Sequence, residues 1–317
     1  MNILVTGGCG YVGSVLVPRL INAGHNVRVV DTEWFGNYLN PSPSLEFIKK
    51  PFAEIKASEL KNIDTVIHLA NIANDPSVDL MPTFSWETNV LHTTQLLELC
   101  KNSPSIKKFI YASSGSVYGV KIEPSVTEDL SLVPISTYNK TKMSAERVCL
   151  SYSNYFDIYC VRPATVCGLS PRMRFDVVVN MFVLQAFLNK KITVLGGDQI
   201  RPNIHIDDMA SVYLHLTSSV GIPTGTYNAG FENISVLDIA KNVSRVINAE
   251  IELKDSNDPR SYRQDSNKLL ATGFKPSKSV IDAITEIAKA LQDKQVTDNE
   301  KWHTVSWMKK MKIGEVF

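Results

Sequence analysis

Tyr138 and Lys142 stand four residues apart in Tyr138-Asn139-Lys140-Thr141-Lys142, inside a stretch whose apolar spacing predicts a helix to about residue 155. That spacing puts a phenol and an ammonium on one helix face, a turn apart. A phenol with its ordinary pKa of about 10 is a poor base at neutral pH, and a neighbouring cation favours the phenolate. So assisted, Tyr138 can remove the proton of a hydroxyl while hydride leaves the same carbon. Ser114 follows a predicted strand at residues 108–112 and can hydrogen-bond the same oxygen. Tyr-x-x-x-Lys alone is common on helix surfaces. The ordered combination with the preceding serine carries the reading.

The amino terminus offers a second feature, Thr6-Gly7-Gly8-Cys9-Gly10-Tyr11-Val12-Gly13. Gly7, Gly10 and Gly13 lie between a predicted strand at 2–6 and a predicted helix at 11–23, in G-x-x-G-x-x-G rather than G-x-G-x-x-G spacing. Glycines there let the backbone turn tightly and approach a pyrophosphate, whose charge suits a helix amino terminus. Asp31 ends the next predicted strand, Asn26–Asp31. A carboxylate in that place accepts hydrogen bonds from an adenosine ribose and repels a 2′-phosphate, which favours NAD over NADP.

The elements that must position these groups alternate. Strands are predicted at 2–6, 26–31, 45–48, 65–69, 108–112 and 158–162, with helical periodicity at 11–23, about 53–60, 84–101 and 137–155. Strands separated by helices imply a parallel sheet covered on both faces, because parallel neighbours need long right-handed crossovers. The expected fold class is therefore α/β, a doubly wound parallel sheet. After residue 168 the rhythm changes: a helix at about 176–189, a short strand at 192–195, then short elements punctuated by Pro and Gly. Residues 1–167 are expected to form the large lobe, with 203–220 returning to it. Residues 168–317 otherwise form a smaller, interleaved carboxy-terminal lobe and a tail. The tail, from Gln292 on, reads equally as a docking segment or as partly disordered.

Composition fits a globular fold and neither a disordered nor a fibrous one. The chain has 317 residues, 44% hydrophobic and 21% charged, and its 33 basic and 32 acidic side chains give a net charge of +1. That balance removes any global electrostatic reason to seek nucleic acid or an acidic membrane. Five cysteines form no C-x-x-C pair, which argues against a disulfide framework or a metal site and for the cytoplasm. No export signal and no apolar run of membrane-spanning length is visible. His68 at a strand end reads as a packed core histidine, Asp207 and Asp208 as helix-capping acids, and Cys9 as a small residue rather than a redox centre.

In order along the chain, TGGCGYVG, Asp31, DTVIHLA, ETNVLHTTQLLE, YASSGSVYG and YNKTK resemble the motifs of extended short-chain dehydrogenases, the NAD-dependent nucleotide-sugar epimerase/dehydratase family. The resemblance is dense to about residue 168 and looser at RPNIHIDDMA, 201–210, and DPRSYRQDSNKLLATGFKP, 258–276. It implies a Rossmann sheet with a smaller substrate lobe, NAD as cofactor, a homodimer through helices at about 84–101 and 137–155, and Ser114, Tyr138 and Lys142 as the catalytic trio. Tyr138 and Lys142 would also touch the cofactor. The resemblance further places Gly7, Gly10, Tyr11, Val12, Gly13, Asp31, Leu69 and Ala70 around the cofactor, with Asn89 supporting the active-site helix. Ser116, Thr165, Arg174, Asn180, Arg201 and Arg260 would meet the substrate, with the two last arginines and Asn180 near its phosphates or base. The substrate implied is a UDP-, GDP-, CDP- or dTDP-linked sugar.

Departures from the family pattern are specific. Lys50-Pro51 stands where Gly-Asp is usual, and Thr165 replaces the Asn of R-x-x-N-V-x-G. The segment at 170–180 resembles a bacterial subgroup acting on nucleotide sugars of surface polysaccharides, with Arg172 and Arg174 placed to touch substrate. Family dehydratases carry Asp-Glu directly after the catalytic hydroxyl residue; Gly115 and Ser116 hold those places here. The expected activity is a 4-epimerase working through a transient 4-keto sugar. A 4-dehydrogenase or 4-ketoreductase shares the first step, and a non-catalytic NAD sensor or scaffold shares the fold.

Overall fold

The computed structural model describes residues 1–256 and 261–314. Twelve strands occur among them: β1 Asn2–Thr6, β2 Asn26–Asp31, β3 Leu45–Lys49, β4 Thr65–His68, β5 Lys108–Ala112, β6 Asp157–Pro163, β7 Thr165–Cys167, β8 Lys191–Leu195, β9 Ile200–His205, β10 Gly225–Ala229, β11 Glu232–Ser235 and β12 Glu250–Lys254. Seven form one sheet in the order β10-β6-β5-β4-β1-β2-β3, every pair parallel. β4 is buried at all four residues and β1 at four of five, as expected for strands covered on both faces. The fold is thus the doubly wound α/β sheet with a smaller, interleaved carboxy-terminal lobe.

Chain order reverses across β1 and β4, which lie side by side, and the crevice at their carboxyl ends is where ligands bind in such sheets. The loop after β1 leads into the helix Gly13–Asn22, and the segment after β4 packs so closely on it that a Cβ on Gly7 would sit 2.7 Å from the Ala70 nitrogen. Gly7 has φ +75°, so both the backbone conformation and the contact require glycine.

The elements differ from the periodicity in three places. Residues 53–60 form two 3₁₀ turns, Phe52–Glu54 and Ala57–Leu60, rather than one helix. So short a segment does not repay α-helix nucleation, and burial of Phe52, Ile55 and Leu60 fixes it instead. The helix over 84–101 is continuous in direction but contains a π-helical stretch, Glu87–His92, between Pro82–Trp86 and Thr93–Lys101. β10 joins the large sheet as its edge strand beside β6, although 225–229 falls in the span assigned by pattern to the smaller lobe.

The helix Ile206–Ser218 packs on Gly13–Asn22 under the large sheet, through Met209, Val212 and Leu216. In the smaller lobe, β7, β9 and β11 form one sheet and β8 pairs β12. Its core joins the helices Val178–Asn189, Val236–Ile247 and Val280–Gln292 through residues such as Phe182, Ile239 and Ile284. Arg19 and Lys278 pair with Asp207 and Glu286, and His205 Nδ1 accepts the Asp207 N–H. The charges of this His205, Asp207 and Glu286 group are therefore already engaged. Asp208 caps no helix; its carboxylate accepts from Ser277 and Lys278 N–H groups. The carboxy-terminal segment docks: Trp302 is buried against Tyr38, and the helix Thr304–Lys310 packs on the helix Asp75–Leu80.

Candidate active site

One cleft runs from the glycine loop, past the ends of β4 and β5, to Tyr138 and the first residues of the smaller lobe. The helix Thr137–Ser151 supplies Tyr138 and Lys142 from its first two turns, started by Ser136, whose Oγ accepts the Asn139 N–H at 3.1 Å. Ser114 caps a 3₁₀ turn, Gly115–Tyr118, directly after β5. Its Oγ lies 2.7 Å from Ser116 Oγ, which also accepts from Asn139 Nδ2 at 2.9 Å. The three residues chosen from spacing therefore line one cleft.

The electrostatics differ from the simple ammonium–phenol picture. Burial raises the Tyr138 pKa, with Asp75 adding to the rise, while the nearby Ser114 hydroxyl and the Arg174 charge pull it back. Lys142 Nζ donates to the carbonyl of Ala112 at 2.7 Å and lies over the Tyr111 ring. Burial lowers its ammonium to a pKa of about 7. The two shifts run in opposite directions because burial disfavours the charged form of each group, the ammonium of Lys142 and the phenolate of Tyr138. His68 is clamped between Thr6 Oγ1 at 2.6 Å and Thr93 Oγ1 at 2.9 Å, and burial drops its pKa to about 3. It is a neutral core residue.

Behind Ser114 lies a buried ion pair. Arg162, on β6, grips both oxygens of Glu146 at 2.5 and 3.0 Å, and Ser113 Oγ donates to the same carboxylate at 2.5 Å. Arg162 also donates to Tyr118 Oη at 2.6 Å, so the turn carrying Ser114 is held at both ends. Asn89, in the π-helical stretch, bonds both backbone groups of Ile72 and reaches Thr141 Oγ1 at 3.1 Å. It ties the segment after β4 to the catalytic helix and is fully buried.

Gly7, Gly10, Tyr11, Val12, Gly13 and Leu69 line the amino-terminal part of the cleft. Asp31 stands at the end of β2, its carboxylate accepting Cys9 and Glu33 N–H groups at 2.9 and 2.7 Å. Ala70 lies against Gly7 rather than on the cleft wall. The cleft also presents Asn71, whose buried amide nitrogen and oxygen have no protein partner among the described residues. Orphaned buried amide atoms on a cleft wall, beside glycines that leave the backbone bare, fit a dinucleotide.

Ser116, Thr165 and Arg174 line the other part of the cleft. Arg174 forms a bidentate pair with Asp176 at 2.9 and 3.2 Å, beside Tyr138. Asn180 is fully buried and bonds Gly168 N–H, Tyr11 Oη and the Arg174 carbonyl, so its side chain joins the two lobes and does not line the cleft. Arg201 lies on β9, also outside the cleft wall. Arg260 lies outside the described residues.

A model described as the NAD dependent epimerase/dehydratase family matches residues 3–230. The chain belongs to that family. A Bacillus subtilis (strain 168) protein described as an uncharacterized UDP-glucose epimerase is 31% identical over 91% of this chain and 97% of its own length. UDP-glucuronic acid decarboxylase 4 of Arabidopsis thaliana is 29% identical, over 95% of this chain and 71% of that protein. The Bacillus cereus UDP-glucuronic acid 4-epimerase, solved with UDP-glucuronic acid and NAD, superposes with a TM-score of 0.80 at 28% identity, covering 92% of this chain and 99% of that chain.

As an enzyme of the epimerase/dehydratase family, the protein builds part of its cleft from residues that motif spacing did not single out. Asn71, Asn74 and Asp75 follow β4, Trp34 and Phe35 follow β2, and Thr304 and Met308 come from the carboxy-terminal helix. No spacing rule connects residue 304 to residue 35. The apolar Trp302, Trp307 and Met308 in an otherwise polar tail were the signal that the segment docks.

Proposed function

We propose that the protein is an NAD-dependent nucleotide-sugar epimerase acting through a transient 4-keto sugar. The observation that carries the reading is that Ser114, Tyr138 and Lys142 line one cleft continuous with the glycine loop. When bound, NAD supplies the hydride acceptor, and its cationic ring favours the Tyr138 phenolate. Asp31 at the end of β2 supports NAD over NADP. Tyr138 removes the proton of the sugar C4 hydroxyl, Ser114 holds that oxygen, and Lys142, fixed on the Ala112 carbonyl, sets the charge beside the phenol. For epimerisation the same groups return the proton after the keto sugar turns its other face to the cofactor.

Ser116, Thr165 and Arg174 stand where the sugar would lie. UDP-sugars are the first substrates to try, because the relatives named above are described as acting on them. Arg201 and Arg260 are further substrate contacts in this reading. The cytoplasm is its proposed location, and among the described residues no helix is long and apolar enough to cross a membrane. The test is incubation with NAD and UDP-, GDP-, CDP- and dTDP-sugars, with product analysis. A C4 epimer from one of them supports the proposal. Stoichiometric NADH with a released keto sugar would make it a dehydrogenase, and no turnover of any would favour a sensor.

The Tyr138→Phe variant is expected to lose turnover by about 10²–10⁴-fold while binding NAD normally, because only the proton-transfer group is removed. Steady-state assays beside NAD calorimetry check this; near-normal turnover would overturn the assignment.

A further inference from the structure

Arg172 is 3% exposed, yet its charge has no carboxylate of its own. Nη2 donates to Thr304 Oγ1 at 3.2 Å, the guanidinium carbon lies 4.0 Å from the Phe35 ring centroid, and the buried Nε has no acceptor among the described residues. Asp176, whose charge reaches it, is held bidentate by Arg174. Burial and the Arg174 charge lower its pKa to about 9. A buried guanidinium left in this state is costly, and a planar fork with a free N–H is suited to phosphate oxygens.

Its surroundings indicate which phosphate. The backbone N–H of Arg172 approaches Ser14 Oγ at 3.4 Å, in the first turn of the helix that follows the glycine loop. Phe35 belongs to the segment after β2, beyond Asp31, and Arg172, Phe35, Gly10 and Gly13 all line the same cleft. Both neighbours belong to the half of the cleft that the NAD reading gives to the cofactor.

We propose that Arg172 binds the pyrophosphate of the dinucleotide, completing the site begun by the glycine loop, and that the carboxy-terminal helix Thr304–Lys310 positions it through Thr304. The inference rests on NAD being the cofactor. The tail is then part of the cofactor site: Met308 lines the cleft, and Trp307 Nε1 donates to the Trp34 carbonyl at 2.6 Å, holding the segment that carries Phe35. The pyrophosphate of the nucleotide sugar offers the same chemistry, so the test must separate the two.

Binding of NAD, ADP-ribose, adenosine and UDP is measured by calorimetry or ligand NMR on the wild type, Arg172→Met, Arg172→Lys and Thr304→Val. Arg172→Met is expected to weaken NAD and ADP-ribose by about 10- to 100-fold each and to leave adenosine and UDP unchanged. Arg172→Lys and Thr304→Val are expected to fall between. Ligand-free Arg172→Met should melt no lower than the wild type, because the change removes an uncompensated buried charge. Unchanged NAD affinity in Arg172→Met overturns the proposal while leaving NAD as cofactor. A loss confined to UDP moves Arg172 to the substrate, and equal losses for adenosine, or a lower melting temperature, show a structural role; each overturns it. Failure of the wild type to bind NAD would sink the cofactor reading and this assignment together.

Discussion

Burial lowers Lys142 to a pKa of about 7, against about 10.4 for a free lysine, and the sign of its pH dependence follows. Below pH 7 the ammonium is charged in both the folded and unfolded states, and the folded state bears the full cost of burying it. Between the two pKa values the unfolded chain binds more protons, so this destabilisation fades as pH rises. Lys142→Met should therefore gain stability relative to the wild type most below pH 7, and the gain should shrink by pH 9.5. Melting temperatures of both proteins at pH 6 and 9.5 check it; a gain that grows with pH would contradict the burial argument. Ser116 sets a second residue-scale expectation. Its hydroxyl is bonded to Ser114 and Asn139, and Asp176 in the same cleft is paired with Arg174. Neither is a free carboxylate poised to take a C5 proton, and a serine hydroxyl is too weak a base without an activating neighbour. Turnover of nucleotide sugars in deuterated water should thus give no 6-deoxy-4-keto product and no deuterium at C5 or C6, as read by mass spectrometry and NMR. Accumulation of that product would show that Asp75 or Asp176 does the elimination chemistry.

Among the elements, the turn that carries Ser114 depends on charges no catalytic motif includes. Glu146 lies one helical turn past Lys142, on the inward face of Thr137–Ser151, and neutralises Arg162 from β6 while accepting from Ser113. Glu146→Gln would keep the shape and leave Arg162 without its carboxylate. Breaking one side of such a buried pair costs about 3–5 kcal/mol, so chemical denaturation should show a loss of that order. A change below about 1 kcal/mol would mean that Tyr118 alone satisfies Arg162. The alternation of strands and helices in the large sheet was readable because each strand is a short apolar run and each helix shows its own period. β10 was not, because Gly225-Thr226-Tyr227-Asn228-Ala229 is half polar, and its place depends on the β6 edge and on Asn228 bonding Tyr118, Val126 and Asp265. The π-helical stretch was equally invisible, since Asn89 chooses its turn by reaching Ile72 and Thr141, partners 17 and 52 residues away.

At the scale of the whole molecule, site legibility follows distance along the chain. The trio, the glycine loop and Asp31 are local motifs, and a sequence shows them directly. Arg172, Asn180 and Thr304 act through contacts between lobes: Asn180 reaches Tyr11, and Thr304 reaches Arg172 across 132 residues. Their types suggest phosphate or sugar contacts, but only the three-dimensional packing assigns Asn180 to the lobe junction. The proposed homodimer belongs to the same scale. The helices over 82–101 and Thr137–Ser151 pack side by side over the sheet, and Trp86, Leu91 and Tyr155 remain exposed on or just after them, 37%, 57% and 54% respectively. Val90, Leu99 and Val148 are only partly covered by the core beneath. Two copies related by a two-fold axis would bury this patch against the same patch of the partner, as an isologous interface requires. The catalytic helix would then be clamped on both sides, by its own sheet and by the partner's helices, which favours a fixed Tyr138. Sedimentation at micromolar concentration should give a dimer, and Leu91→Arg combined with Val148→Arg should give a folded monomer, because like charges would face each other across the axis. A monomeric wild type would overturn the dimer, and a double variant that stays dimeric would place the interface elsewhere.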